Sequence, residues 1–240
     1  MAKFVKATTA ALPADIADLL EASDSKGVSF DTHDLIVPMI SILQTGSPAV
    51  NATDAAFIDG ASAGDFWLRG AEPPIRSGTA GIEMIFCGMQ HCAVEFLPNR
   101  GGFVARHATM PADVVEAQRG TGRRPSLVRT NGNVVEDVRE LYVLADGQPF
   151  MLPCKSTMHQ FARELQSHFH QYQHPKTGKV LDSFARKYVV TTVPKSNGLG
   201  RWFKPIFTDT GWTSRDEYLA ANELWEVVHH GKHRIDYQAE

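Results

Sequence analysis

A single amphipathic helical stretch interrupts a chain that otherwise reads as short strands and tight turns, and this order restricts the fold more than any other feature. In KSTMHQFARELQSHFHQYQHP, which starts at residue 155, Met158, Phe161, Leu165, Phe169 and Tyr172 recur at helical spacing and share one face. Thr157 and Gln160 have the spacing of a capping box, and Pro175 follows the end. On either side strands dominate. GIEMIFCGM (81–89) reads as a mostly buried strand, and HCAVEFLP and GGFVARH read as two more, joined by a hairpin-like loop at Asn99, Arg100, Gly101 and Gly102. Asn131-Gly132 and Asp146-Gly147 favour the positive dihedrals of tight hairpins, the second joining ELYVLA to QPFMLP. FARKYVVTTV (184–193) and RWFKPIFT (201–208) return to strand character, and Ser214 with Glu217 caps a last helix containing Tyr218, Leu224, Trp225 and Val228. A short helix is also expected at 111–119. The expected class is mainly β with inserted helices (α+β). Its expected architecture is an OB-like antiparallel Greek-key barrel with one helix between strands and a C-terminal helix, although other five-stranded barrels with an inserted helix fit the same order.

The most apolar stretch is LIVPMISILQTGSPAV (35–50). Its apolar run is far shorter than the roughly 20 residues that cross a bilayer, so no membrane partner is expected. Pro38 cannot donate to a ladder and restricts the run to an edge or a bulge. Such an edge either seals the barrel or pairs with a second subunit, and sealing is favoured over self-association. Residues 1–34, rich in Ala, Asp and Ser, read as a flexible N-terminal arm, and 35–240 as a single domain. Three cysteines without CxxC spacing suit a reducing, cytoplasmic compartment.

The net charge of −3 hides a basic block: residues 155–206 carry nine Lys and Arg against only Glu164 and Asp182. Period-2 alternation puts Phe184, Arg186, Tyr188, Val190 and Thr192 on one face, where rings beside a guanidinium would suit single-stranded nucleic acid, and leaves the alternate face for the core. Lys195 and Arg201 flank a glycine loop, and Trp202, Phe203 and Lys204 continue the interleaving of aromatic and basic residues. A second basic patch, with Arg119, Arg123, Arg124 and Arg129, would extend a phosphate track from a loop.

Enzymatic signals fail. Gly60-Ala61-Ser62-Ala63-Gly64 fits GxSxG but precedes a strand-like segment rather than a helix, and His168, His170 and His174 scatter around a helix. No phosphate-binding or dinucleotide fingerprint occurs. No catalytic activity, metal or cofactor is expected.

Taken in order, LIVPMISILQTGSPAV, AGDFWL, KSTMHQFARELQ, FARKYVVTT and GRWFKPIF resemble single-stranded DNA-binding proteins encoded in bacteriophage replication and recombination modules, over about residues 35–230. The resemblance implies an OB fold, coating of exposed DNA in the host cytoplasm, and replication or recombination proteins of phage or host as partners. It carries nucleic-acid contact onto Lys155, Arg186, Tyr188, Arg201, Trp202 and Lys204. RNA is the other nucleic acid this surface would suit. An acidic C-terminal tail, common in such proteins, is absent from HHGKHRIDYQAE. The alternative function is a phage structural or assembly protein that uses the barrel and arm for protein contacts.

Overall fold

Both alternating faces of residues 82–96 carry apolar side chains, and the structure uses both. The computed structural model describes residues 36–98, 101–118, 125–174, 176–198, 200–230 and 234–235. Its strands are β1 (Ile36–Val37), β2 (Ile40–Ile42), β3 (Phe66–Leu68), β4 (Ile75–Arg76), β5 (Ile82–Phe96), β6 (Phe103–His107), β7 (Val114–Ala117), β8 (Ser126–Arg129), β9 (Val134–Ala145), β10 (Gln148–Lys155), β11 (Arg186–Asn197), β12 (Gly200–Trp212) and β13 (Arg234–Ile235). The helices are α1 (His159–Phe169) and α2 (Arg215–His229). The described residues are therefore mainly β with two α-helices, and the main ladder, which is antiparallel, does not close on itself, while the short β1–β13 pair is parallel. The expected arm and the arginines Arg119, Arg123 and Arg124 lie outside the described residues.

The main ladder runs β12-β11-β5-β9-β8-β7, with β10 on β9 and β6 on β5. Ile82, Met84 and Phe86 of β5 enter one core with Leu141, Val143, Phe150, Leu152, Tyr188 and Val190, covered by Phe161 and Leu165 of α1. Ile85 and Cys87 enter a second core on the opposite face, with Tyr142, Met151, Phe184, Leu224 and Val228, covered by α2. A bulge between Phe86 and Gly88 shifts the phase, so the even-numbered Cys92, Val94 and Phe96 also join the second core. What reads as two strands is thus one 15-residue strand.

Apolar Val114 and Val115 at the expected short helix of 111–119 belong instead to β7, paired with β8. Tertiary pairing overrides weak helical propensity there. Helix α1 also starts later than expected: Ser156–Met158 forms a 3-10 turn, and no side-chain cap joins Thr157 to Gln160. At α2 the box is present, with Ser214 and Glu217 bonded reciprocally. Asp146 and Gly147 take φ of 52° and 72°, the conformation a two-residue hairpin between β9 and β10 demands.

The excursion from β6 to β8 is clamped by carboxylates. Glu140, fully buried on β9, accepts bonds from Arg106 Nε (2.9 Å), Arg106 Nη2 (2.7 Å) and the Tyr142 hydroxyl (2.8 Å). Glu95 accepts from Asn133 (2.6 Å) and Arg129 (2.9 Å), and its ring partner His107 lies at 2.7 Å. The Asn133 bond, ahead of those from His107 and Arg129, overcomes burial and holds the Glu95 carboxyl down at about 2.

The apolar run at 36–43 ends up sealing a margin. Pro38 separates β1 from β2, and its carbonyl accepts from Met151 of β10 (2.8 Å). Beyond β2, the Gln44 side-chain amide takes the place of a strand residue: Phe203 N donates to Gln44 Oε1 (2.8 Å), and Gln44 Nε2 donates to the Phe203 carbonyl (3.2 Å). The open seam between β10 and β12 is thereby bridged within the chain.

Candidate functional site

The basic block of the sequence does not remain a uniform basic surface, because carboxylates distant in sequence pair with Lys155, Arg186 and Lys187. Lys155 Nζ lies 3.1 Å from Glu136, and Lys187 Nζ lies 3.3 Å from Glu83 and 3.2 Å from Glu217. Arg186 makes a two-pronged pair with Asp209, both bonds 2.6 Å. Lys195, Arg201 and Lys204 form no ion pair with the described carboxylates. These three sit toward the tip of the β11–β12 hairpin, where Lys195 faces Trp202 and Lys204 faces Val193 across the ladder.

At this tip a cleft of about 450 Å³ opens, and Lys155, Arg201, Trp202 and Phe203 line it beside the apolar Ile42 and Met158. The sequence thus places three of its candidates, Lys155, Arg201 and Trp202, at one cleft. Phe203 is fixed by Gln44 and by Gly64, where a Cβ would fall 2.6 Å from the ring; Gly64 also has φ of +100°. The Trp202 indole Nε1 is closed off from solvent and meets no acceptor among the described residues. Two further clefts, of about 320 and 470 Å³, adjoin at Ser156 and His159. Ser156 adopts a left-handed φ of 53°, so the turn into α1 that joins the three clefts is conformationally costly.

The face assignment of β11 is reversed from the expectation. Phe184 is 4% and Tyr188 1% exposed, and Val190 and Thr192 are buried with them. Phe184 packs on Tyr218 with ring centroids 4.9 Å apart, and Tyr188 meets Phe86, Phe169 and Phe207 at 5.6–5.9 Å. Neither ring presents a surface for stacking. Aromatic alternation carries no sign of which side the core lies on, and here α1 and α2 supply partners for these rings. The outer face is the one read as core: Lys187, Val189, Thr191 and Val193 are half-buried and Lys195 exposed.

Arg186 and its surroundings form the second constellation, at the other end of the hairpin. Its guanidinium lies 4.6 Å from the Tyr172 ring centroid and 4.4 Å from that of Trp212. Asp209 also accepts from the Tyr172 hydroxyl (2.7 Å) and from Gly211 N (3.0 Å). Burial would raise the Asp209 pKa, but the bonds from Arg186, Tyr172 and Gly211 outweigh it and hold the carboxyl well below its usual range. The same Asp209 bond raises Arg186 and Tyr172. Trp212 and Asp209 escape the sequence reading because the strand is expected to end at 208. The available signal is Gly211 within a strand, which marks a bulge.

The described residues contain no group of three or more His, Cys, Asp or Glu that could hold a metal ion, and no helix among them is long and apolar enough to cross a membrane. Residues 6–234 match the family described as Pam3 phage gp34-like protein, and the chain belongs to that family. No curated protein and no solved structure matches it.

Proposed function

We propose that the chain, a member of a phage protein family, is a non-catalytic single-stranded DNA-binding protein of phage replication or recombination, acting in the host cytoplasm. The observation that carries this reading is the cleft at the β11–β12 tip, which Arg201 and Trp202 line and where Lys195 stands opposite Trp202 in the ladder, neither cation having a carboxylate partner among the described residues. Arg201, Lys195 and Lys204 would neutralise phosphates and release counterions, while Trp202 and Phe203 offer ring surface to unpaired bases. The chain order also supports an OB-derived barrel: a β5-β9-β10 meander, then α1, then β11 paired to both β5 and β12. On that reading β9 and β10 correspond to the second and third strands and the β11–β12 turn to the fourth-to-fifth-strand loop, the parts OB folds apply to oligonucleotides. Lys155, at the end of β10, then borders the same groove.

The test is a fluorescence-anisotropy titration of the purified chain with oligo-dT, an equal-length RNA and an equal-length duplex, at low and moderate salt. The expected result is tight, salt-weakened binding to the single DNA strand and poor binding to the duplex. Absence of binding to all three would overturn the reading in favour of a phage assembly role, for which the exposed Leu97, Val104 and Val115 around the β6–β8 excursion offer apolar contact surface.

A further inference from the structure

Trp212 is the most exposed large hydrophobic side chain among the described residues, at 61%. An indole so exposed would ordinarily lie wherever the local backbone left it. Here several features hold it in one place. A bulge in β12 changes the register between Lys187–Gly211 and Tyr188–Asp209, leaving Thr210 without a partner, and Gly211 takes φ of +126°. Residues 209 and 212 would face opposite sides of a regular strand. The bulge turns both toward Arg186, which stands directly opposite Trp212 in the ladder. Asp209 then fixes the plane of the guanidinium with two bonds, and Tyr172 backs the stack from beyond α1. The Tyr172 and Trp212 ring centroids lie 6.5 Å apart.

The charge of this assembly is cancelled internally by the Arg186–Asp209 pair, so it is poorly suited to capture a phosphate. It offers a fixed, electron-rich planar surface instead. We propose that Trp212 is a stacking platform for an unpaired nucleobase, forming a second contact station at the opposite end of the hairpin from Trp202. This rests on the single-stranded DNA reading above and adds a site to it. β12 is the outermost strand of the main ladder, so a nucleic acid lying along its edge meets both hairpin faces. The ten residues from Trp202 to Trp212 span about 33 Å of extended strand. At the stacked spacing of roughly 3.4 Å that is about ten nucleotides, within the roughly 4 to 16 that one OB fold occupies.

The experiment compares the full chain with Trp212→Ala, Trp212→Leu and Trp212→Phe in anisotropy titrations against dT6, dT15 and a dT15 analogue with its central bases removed. Trp212→Leu keeps apolar cover over Arg186 without a ring, and thermal melting checks that each variant is folded. The expected result is that Trp212→Ala and Trp212→Leu weaken dT15 binding about fivefold or more, as loss of one stacked base does. Trp212→Phe stays within about threefold on the same scale. Binding of dT6, which at the stacked spacing of roughly 3.4 Å covers only about 20 Å, changes little, and the variants no longer differ from the parent on the base-depleted strand. If Trp212→Ala and Trp212→Leu bind dT15 like the parent, the platform is overturned while the parent's own binding leaves the single-strand reading standing; Trp212 is then a contact for protein. Equal losses on the intact and base-depleted strands also overturn it. Failure of the parent to bind any strand overturns both.

Discussion

The two ends of the β11–β12 hairpin use the same residue types in opposite ways. At the tip, Lys195, Arg201 and Lys204 have no carboxylate among the described residues, and their charge remains available to an anion. At the base, Arg186 is held between two rings and satisfied by Asp209. A cation on a strand is therefore an element of recognition or of architecture according to whether the neighbouring strand supplies a carboxylate, and sequence counting does not distinguish the two.

The sharpest way to break the contrast is Asp209→Ala, which leaves Arg186 half-buried without its partner. It is expected to cost about 2 to 4 kcal/mol in urea unfolding, whereas alanine at Lys195, Arg201 and Lys204 together should stay within about 0.5 kcal/mol of the parent. Acid sharpens the same comparison. Asp209 and Glu95 both have depressed folded pKa values, so their stabilisation is complete above the unfolded carboxylate values and is lost as pH falls through the folded ones. For Glu95 that window runs from 4.5 down to about 2. Denaturant midpoints should be level near neutrality and fall below about pH 4.5, and Asn at both positions should flatten that fall.

Binding reverses the ranking of the two ends. The triple tip variant should lower the slope of log affinity against log salt by about 2, near 0.7 for each single-strand phosphate that is no longer neutralised. Trp202→Ala should weaken binding by about tenfold at every salt concentration, leaving the slope almost unchanged. The smallest effect is that of Lys204→Ala alone, a slope change of about 0.7 with little change in stability. A triple variant with the parental slope would remove the tip from the interface.

Much of the scaffold is legible in the sequence, because its signals are local. Asp146-Gly147 and the Ser214–Glu217 box each act within four residues, and the structure contains both. The spacing of Phe161 and Leu165 likewise identifies the buried face of α1. The site is less legible because its determinants are distant. Tyr188 and Phe184 are buried by elements elsewhere in the chain, and Arg186 is neutralised by a residue 23 positions away. Bulges add a second difficulty. One extra residue in β5 and one in β12 shift the period of two, so alternation read from one end names the wrong face at the other. At the hairpin tip no such shift intervenes, and Lys155, Arg201 and Trp202 are brought to one cleft as their clustering in the basic block suggests.

The Gln44 amide that bridges the seam joins residues 159 positions apart. A closure made of one side chain has none of the cooperativity of a ladder, in which each bond holds its neighbours in register. On the folding pathway it is expected to form after both margins exist, and under native conditions to open with little loss elsewhere. In amide hydrogen exchange, Phe203 should therefore trade its proton well before Val190 or Val143, and Gln44→Ala should hasten that exchange without altering the protection of β5 and β9. The wall of the cleft that carries Trp202 is latched at its outer end by the Gln44 amide and the packing of Phe203 on Gly64, while the opposite wall is anchored in the continuous sheet.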